Sequence, residues 1–147
     1  MEKYDAIVVI YNKDIMSVPA VSTLSALSCI KRIVVCDNSD KPNKDGETSL
    51  LFPKVRYRFM GGNLGLSKAY NFAISECCSD LVCIFDDDTT IPDDFFIKAN
   101  DYIVPDIDAV YLPLVYSNKI LMSPCIKDRH RFCAIKDLAQ LRESRIS

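Results

Sequence analysis

Five consecutive apolar residues, Leu81-Val82-Cys83-Ile84-Phe85, run straight into three aspartates, Asp86, Asp87 and Asp88. An apolar run of strand length without polar alternation predicts a β-strand buried on both faces, as in a parallel sheet covered by helices. The pattern recurs twice. Ala6–Ile10 ends at Tyr11-Asn12-Lys13-Asp14, and Ile33–Cys36 ends at Asp37-Asn38-Ser39-Asp40, a turn-forming set. Between these two runs Ser17 and Pro19 mark a helix entry, and Val18, Val21, Leu24, Leu27 and Ile30 follow at three-residue steps. Strand, crossover helix and strand make a right-handed βαβ unit, with the three apolar runs as central strands of one sheet.

The remaining segments are read around that sheet. Lys41–Pro53 is a polar surface connection with a short helical piece at Glu47–Phe52, and Lys54–Phe59 alternates basic and apolar residues, as a strand near the sheet edge would. Gly61-Gly62-Asn63-Leu64-Gly65 opens a helix over Leu66–Cys78 whose apolar face is Leu66, Ala69, Tyr70, Ala73 and Cys77. Pro92 with Asp93-Asp94 starts another helix, burying Phe95, Phe96, Ala99, Tyr102 and Ile103 and stopping at Pro105. Ala109–Tyr116 and Lys119–Met122 form a hairpin turning at Ser117-Asn118, with Pro113 making the first arm an edge or bulged strand. The chain then turns basic at Arg129, His130 and Arg131, and Ala134–Arg145 reads as a C-terminal helix.

Composition excludes several classes. At 147 residues and 49% hydrophobic content, residues 1–147 suit one domain with a real core. A net charge of −2 gives no general attraction to nucleic acid or anionic lipid. The cysteine count of seven is odd, and Cys29, Cys36, Cys77 and Cys83 fall in predicted strands or helices, which suits reduced thiols and a cytoplasmic protein. His130 is the only histidine and Cys77-Cys78 is vicinal, so no zinc set and no Ser/His or Cys/His pair is available. The N-terminus is neither a signal peptide nor a membrane span.

The chemistry gathers at one rim. Ligands of open α/β sheets bind outside the carboxyl ends of the strands where strand order reverses. Parallel neighbours would put Tyr11-Asn12, Asp37-Asn38 and Asp86-Asp87-Asp88 there together, with Asn63 and Gly65 reaching the same rim from the glycine block. Three adjacent carboxylates repel one another unless water, donors or a cation offset the charge, and Mg²⁺ or Mn²⁺ bridges such carboxylates to substrate phosphates. Taken singly, aspartates also cap helices and glycine turns before helices are ordinary turns. The conjunction favours a phosphorylated ligand such as a nucleotide diphosphate.

The ordered blocks IVVIYN, IVVCDNS, GGNLGLSKAYNFAI and LVCIFDDDT resemble the nucleotide-binding half of the inverting glycosyltransferases of family 2, the rhamnosyltransferase-like subgroup above all, over roughly Tyr4 to Pro124. The resemblance implies a Rossmann-like α/β fold of the GT-A type, with a mostly parallel sheet flanked by helices and a C-terminal hairpin. It also implies a UDP- or dTDP-sugar donor, Mg²⁺ or Mn²⁺, and a saccharide or lipid-linked acceptor, in polysaccharide or glycoconjugate synthesis. By the same resemblance Tyr11 packs by the nucleoside and Asp37 accepts from the ring N–H of uracil or thymine; Asn12 and Asn38 count among the substrate-binding residues as members of the strand-end clusters. Asp86 and Asp87 lie near ribose and diphosphate, Asp86 and Asp88 hold the metal with Asp88 the principal ligand, and Asn63, Gly65 and Ser67 shape the sugar and phosphate side.

An inverting transfer also needs a carboxylate base after the metal motif. Glu143 is the only glutamate beyond Asp88 and has no acidic neighbour, so the expectation is a chain without its base and most of its acceptor site: a natural short form, an excised piece, or one part of an active assembly with a homo-oligomer or a partner subunit. Two other readings stand beside the transferase. One is a nucleotide-sugar-binding module that does not transfer. The other is a haloacid-dehalogenase-like phosphatase, whose D-x-D-x-T loop Asp86–Thr90 resembles with Asp86 as nucleophile and Asp88 as acid/base, although that loop normally ends the first strand.

Overall fold

A computed structural model describes residues 4–43, 52–104, 109–123, 125–128 and 131–134. The chain divides into two compact units, Met1–Asn100 and Asp101–Ser147. In the first, β1 (Tyr4–Ile10), α1 (Pro19–Ala26), β2 (Ile30–Asp37), β3 (Val55–Phe59), α2 (Leu66–Glu76) and β4 (Leu81–Asp86) follow in order, with α3 (Phe95–Tyr102) beginning after them. The strands form a four-stranded parallel sheet in the order β3-β2-β1-β4. The three apolar runs therefore lie side by side, with β1 in the middle.

Strand β1 is buried along its whole length, which explains why its sequence shows no alternation. Ile7 and Val9, with Val34 and Cys36 of β2, pack against Ala69 and Ala73 of α2. Their sequence neighbours point to the other face, where Ala20, Val21 and Leu24 of α1 are buried. Small alanines on α2 let that helix approach the sheet closely. Beyond α1, Tyr4, Phe85, Phe95 and Phe96 form an aromatic cluster with centroids 4.9–6.3 Å apart, seating the start of α3.

Several boundaries and faces differ from the sequence reading. Strand β4 is the edge of this sheet, and α2 leans over β1 and β2, so Val82 and Ile84 stay 39% and 49% exposed although the run is wholly apolar. Burial on both faces, expected for this strand, is corrected: only Phe85 is buried. Ile30 opens β2 instead of ending the helix, because α1 stops at Ala26 and the Ile30 amide donates to the Leu27 carbonyl at 3.2 Å. Leu66 (56% exposed) and Tyr102 lie outside the buried faces expected of them. Strand β3 alternates and sits at the opposite edge, as its pattern predicts.

Asp5 is wholly buried at the start of β1, yet its carboxylate is well satisfied. It accepts from the Cys78 amide at 2.7 Å, the Ser79 amide at 3.1 Å and the Ser79 hydroxyl at 3.0 Å, so it clamps the turn between α2 and β4. The second unit holds two antiparallel pairs, β5 (Val115–Ser117) with β6 (Ile120–Ser123) and β7 (Cys125–Asp128) with β8 (Arg131–Ala134). The first hairpin turns at Asn118 and Lys119, both with positive φ, as a tight two-residue turn requires. Residues 109–114, which include Pro113, are not strand. The helix expected at Glu47–Phe52 and the C-terminal helix expected at Ala134–Arg145 fall almost wholly outside the described residues; Ala134 itself ends β8. Among the described residues no helix is long and apolar enough to cross a membrane.

Candidate functional site

In the order β3-β2-β1-β4 the chain moves from β1 through β2 to β3 on one side, then returns to add β4 on the other. The topological switch point thus lies between β1 and β4, where the loops leaving two parallel strands diverge and open a crevice. The clusters that follow β2, β1 and β4 stand there side by side.

Behind β1, Tyr11 is 45% exposed and Asn12 takes a left-handed conformation, φ 50°, which asparagine tolerates better than most residues. The Asn12 amide donates to the Ser39 hydroxyl at 2.7 Å, tying the β1 and β2 loops together. Asp14 accepts from the Met16 amide at 2.9 Å and starts the short 3-10 helix Ile15–Ser17.

Behind β2, Asp37 is wholly buried. One carboxylate oxygen accepts from the Ser39 amide at 3.0 Å, the other from the Asn43 amide at 3.0 Å and the Tyr57 hydroxyl at 2.6 Å. Burial pushes the Asp37 pKa up, but the bonds from Ser39, Tyr57 and Asn43 outweigh it and hold the acid below the usual carboxylate range. Burial and the bond to Asp37 together push the Tyr57 phenol up to about 12. Asn38 faces the glycine block, donating from its amide nitrogen to Asn63 Oδ1 at 3.1 Å and accepting from the Leu64 amide at 2.9 Å. Asn63 Oδ1 also accepts from the Gly65 amide at 3.1 Å, so one side-chain pair fixes the approach to α2. Gly65 caps that helix at φ 84°, ψ 154°, a region essentially closed to residues with a Cβ. Ser67 is exposed in the first turn.

Behind β4, the Thr89 amide donates to the Asp86 carbonyl at 3.1 Å and closes a turn over Asp87 and Asp88. The Tyr70 hydroxyl of α2 lies 3.5 Å from Asp86 Oδ1, a long contact, and burial followed by the nearby Asp86 charge raises the Tyr70 pKa. Asp87 is paired with Lys13 at 2.8 Å, a hydrogen bond that raises the lysine pKa. Asp88 is exposed and accepts no hydrogen bond from the described residues.

These carboxylates do not enclose an ion by themselves: among the described residues no group of three or more His, Cys, Asp or Glu converges on a metal position. With Asp87 engaged by Lys13, the oxygen donors left among the three aspartates are Asp88 and the exposed Asp86, whose Oδ1 has only the long Tyr70 contact. Hard oxygen donors in that number fit a magnesium- or manganese-type ion whose remaining ligands come from phosphate oxygens and water. They do not fit a self-sufficient protein cage.

Every expected residue except Tyr11, Ser67 and Asp88 is thus linked by a hydrogen bond or an ion pair to another strand end or to α2. Sequence reading missed Lys13, Ser39, Tyr57 and Tyr70. Lys13 and Ser39 lay inside the polar clusters it singled out, while Tyr57 and Tyr70 were read as sheet and helix packing. Cys29, Cys36, Cys77, Cys78 and Cys83 are free thiols.

Comparison with known proteins places the chain. The Glycosyl transferase family 2 profile matches residues 5–129, and the chain belongs to that family. The haloacid-dehalogenase reading of Asp86–Thr90 falls with that result. Among solved structures, the crystal structure of S. aureus TarS 1-349 superposes with a TM-score of 0.52 at 20% identity, covering 67% of this chain and 31% of that one. At this identity the likeness concerns the fold, and with the family it establishes the GT-A-type architecture. None of the curated proteins searched matches the chain.

Proposed function

We propose that this chain binds the diphosphate and nucleoside of a UDP- or dTDP-sugar together with Mg²⁺ or Mn²⁺, as the donor-binding part of a glycosyltransferase acting on a saccharide or lipid-linked acceptor. One observation carries the reading: Tyr11-Asn12, Asp37-Asn38 and Asp86-Asp87-Asp88 follow three adjacent parallel strands on the two sides of the switch point.

Each residue then has a role its chemistry suits. Tyr11, half exposed, offers a ring face to the base. Asp37 orders the wall from Ser39 to Asn43 beside it, and the ring N–H of a pyrimidine reaches that carboxylate by exchanging with one of its present donors. Asn12 and Asn38 lie at ribose level. Asn63 holds the entry to α2 so that Gly65 and Ser67 present the helix N-terminus, with its free amides, toward phosphate and sugar. Asp86 and Asp88 are the residues that would hold the cation, Asp88 foremost. A divalent ion bound there supplies charge neutralisation for the departing nucleoside diphosphate.

Calorimetry with UDP, dTDP and ADP, with and without Mn²⁺, tests the reading. Pyrimidine diphosphates should bind more tightly with the metal, and Asp88→Ala should cost about tenfold or more of that metal-dependent affinity. Equal UDP affinity with and without metal would refute the cation assignment, and indifference to the base would refute the nucleoside assignment. Adding an acceptor extract separates a transferring enzyme from a module that binds without turnover.

A further inference from the structure

Lys13 is a cation at this crevice, and nothing in the donor reading above uses it. It leaves β1 immediately after Asn12, whose left-handed backbone turns the chain while its amide is fixed on Ser39. The side chain then spans from the β1 loop to the β4 loop, placing Nζ 2.8 Å from Asp87 Oδ1. The pair therefore bridges the switch point itself. Lys13 also lines an open cleft of about 370 Å³ with Asn12, Ser39, Lys41 and Asn43. One ammonium group thus borders both the cleft beside the β2 loop and the acidic motif.

We propose that Lys13 binds the donor's diphosphate by exchanging partners: it holds Asp87 when the site is empty and turns to a phosphate oxygen when nucleotide enters, freeing Asp87. This rests on the proposed function and adds a residue to it. A polyanionic ligand cannot approach three clustered carboxylates without compensating positive charge, and an ammonium on a flexible four-carbon stem can move between two anions a few ångströms apart. The ion pair it would give up is a cheap one. Lys13 and Asp87 side chains are 43% and 19% exposed, and pairs in such contact with water contribute little to stability. The exchange also explains why Asp87 is engaged while its sequence neighbour Asp88 is open: the lysine screens one carboxylate of the motif until the ligand brings its own charge.

The exchange predicts effects of opposite sign on two ligands, which a purely structural salt bridge would not produce. Lys13→Met and Lys13→Arg would be compared with the parent chain by calorimetry with UDP and with uridine, and by electron paramagnetic resonance titration of Mn²⁺ without nucleotide; thermal melting would check that both variants fold. Lys13→Met should weaken UDP about tenfold or more and leave uridine unchanged. It should also bind Mn²⁺ alone several-fold more tightly, because Asp87 is released. Lys13→Arg should keep UDP affinity within about threefold, since the charge remains. UDP binding by folded Lys13→Met equal to the parent's, or equal losses for UDP and uridine, would overturn the assignment while leaving the donor site standing. A folded parent chain that binds no nucleotide diphosphate would overturn the proposed function and the Lys13 exchange together.

Discussion

Replacing Asp37 with asparagine tests how the β2 loop is built. The wild-type carboxylate is wholly buried and accepts from the Ser39 amide, the Asn43 amide and the Tyr57 hydroxyl at 3.0, 3.0 and 2.6 Å. An asparagine of the same shape can keep one acceptor oxygen but must point its NH₂ at donors on the other side. If the oxygen stays on Ser39, the bonds from Asn43 and Tyr57 to the carboxylate are lost; Tyr57 can rotate to accept from the new NH₂, and the Asn43 amide keeps the Tyr57 hydroxyl oxygen, to which it already donates at 2.8 Å. Hydrogen bonds to charged groups contribute about 1.5–3 kcal/mol each, so with part recovered by Tyr57 the variant should lose about 2–4 kcal/mol. Urea denaturation at pH 7 reads this as a lower midpoint at unchanged m-value.

The pH dependence carries a second signature. The folded Asp37 pKa lies below its unfolded value, so its stabilisation is complete above the unfolded pKa, about 3.9, and is lost as pH falls through the folded value. The stability gap between parent and Asp37→Asn should therefore stay constant from neutral pH to about pH 5 and narrow below about pH 4. Tyr57→Phe should cost less, about 1–2 kcal/mol, and couple to Asp37→Asn by more than about 0.5 kcal/mol in a double-mutant cycle. A loss below about 0.5 kcal/mol for Asp37→Asn, or additive behaviour with Tyr57→Phe, would refute the loop architecture argued here.

Two further outcomes follow from local geometry. Gly65→Ala should destabilise the chain by about 1–3 kcal/mol through its backbone alone, since φ is 84° and a Cβ there would meet nothing within 4 Å; chemical denaturation showing no loss would contradict the cap. At pH 8, iodoacetamide should alkylate exposed Cys78 at least about tenfold faster than Cys36, Cys77 or Cys83. Burial pushes those three thiols up to about 11, 11 and 12. Peptide mass spectrometry checks the order, and early labelling of Cys83 would show that β4 opens.

The central strands were legible because β1 and β2 are covered on both faces, and that burial writes itself as unbroken apolar sequence. The same signal misled at β4. Val82 and Ile84 are as apolar as Val8 and Ile7, and local sequence does not record that α2 leans toward the other side of the sheet. The second antiparallel pair, Cys125–Asp128 with Arg131–Ala134, was missed because four-residue strands carry too little pattern. At the site, asparagines and aspartates at strand ends were recognisable as a set, since strand-end polar clusters in parallel sheets share one rim. Their internal bonding was not. That Asn38 reaches Asn63, or that Asp37 spends its acceptors on Asn43 and Tyr57, depends on contacts 6 to 25 residues apart in sequence, which only the folded chain supplies.

Mapping bound nucleotide onto the backbone tests the central claim most directly. At 16.6 kDa the chain suits amide chemical-shift mapping by nuclear magnetic resonance, titrating UDP in the presence of diamagnetic Mg²⁺. The account predicts that the largest shifts fall on residues 11–13, 38–39, 63–67 and 86–88, the ends of β1, β2 and β4 with the entry to α2. Saturable shifts confined to the opposite ends of the strands, around Asp5 and residues 78–81, or no shifts at millimolar UDP, would contradict it.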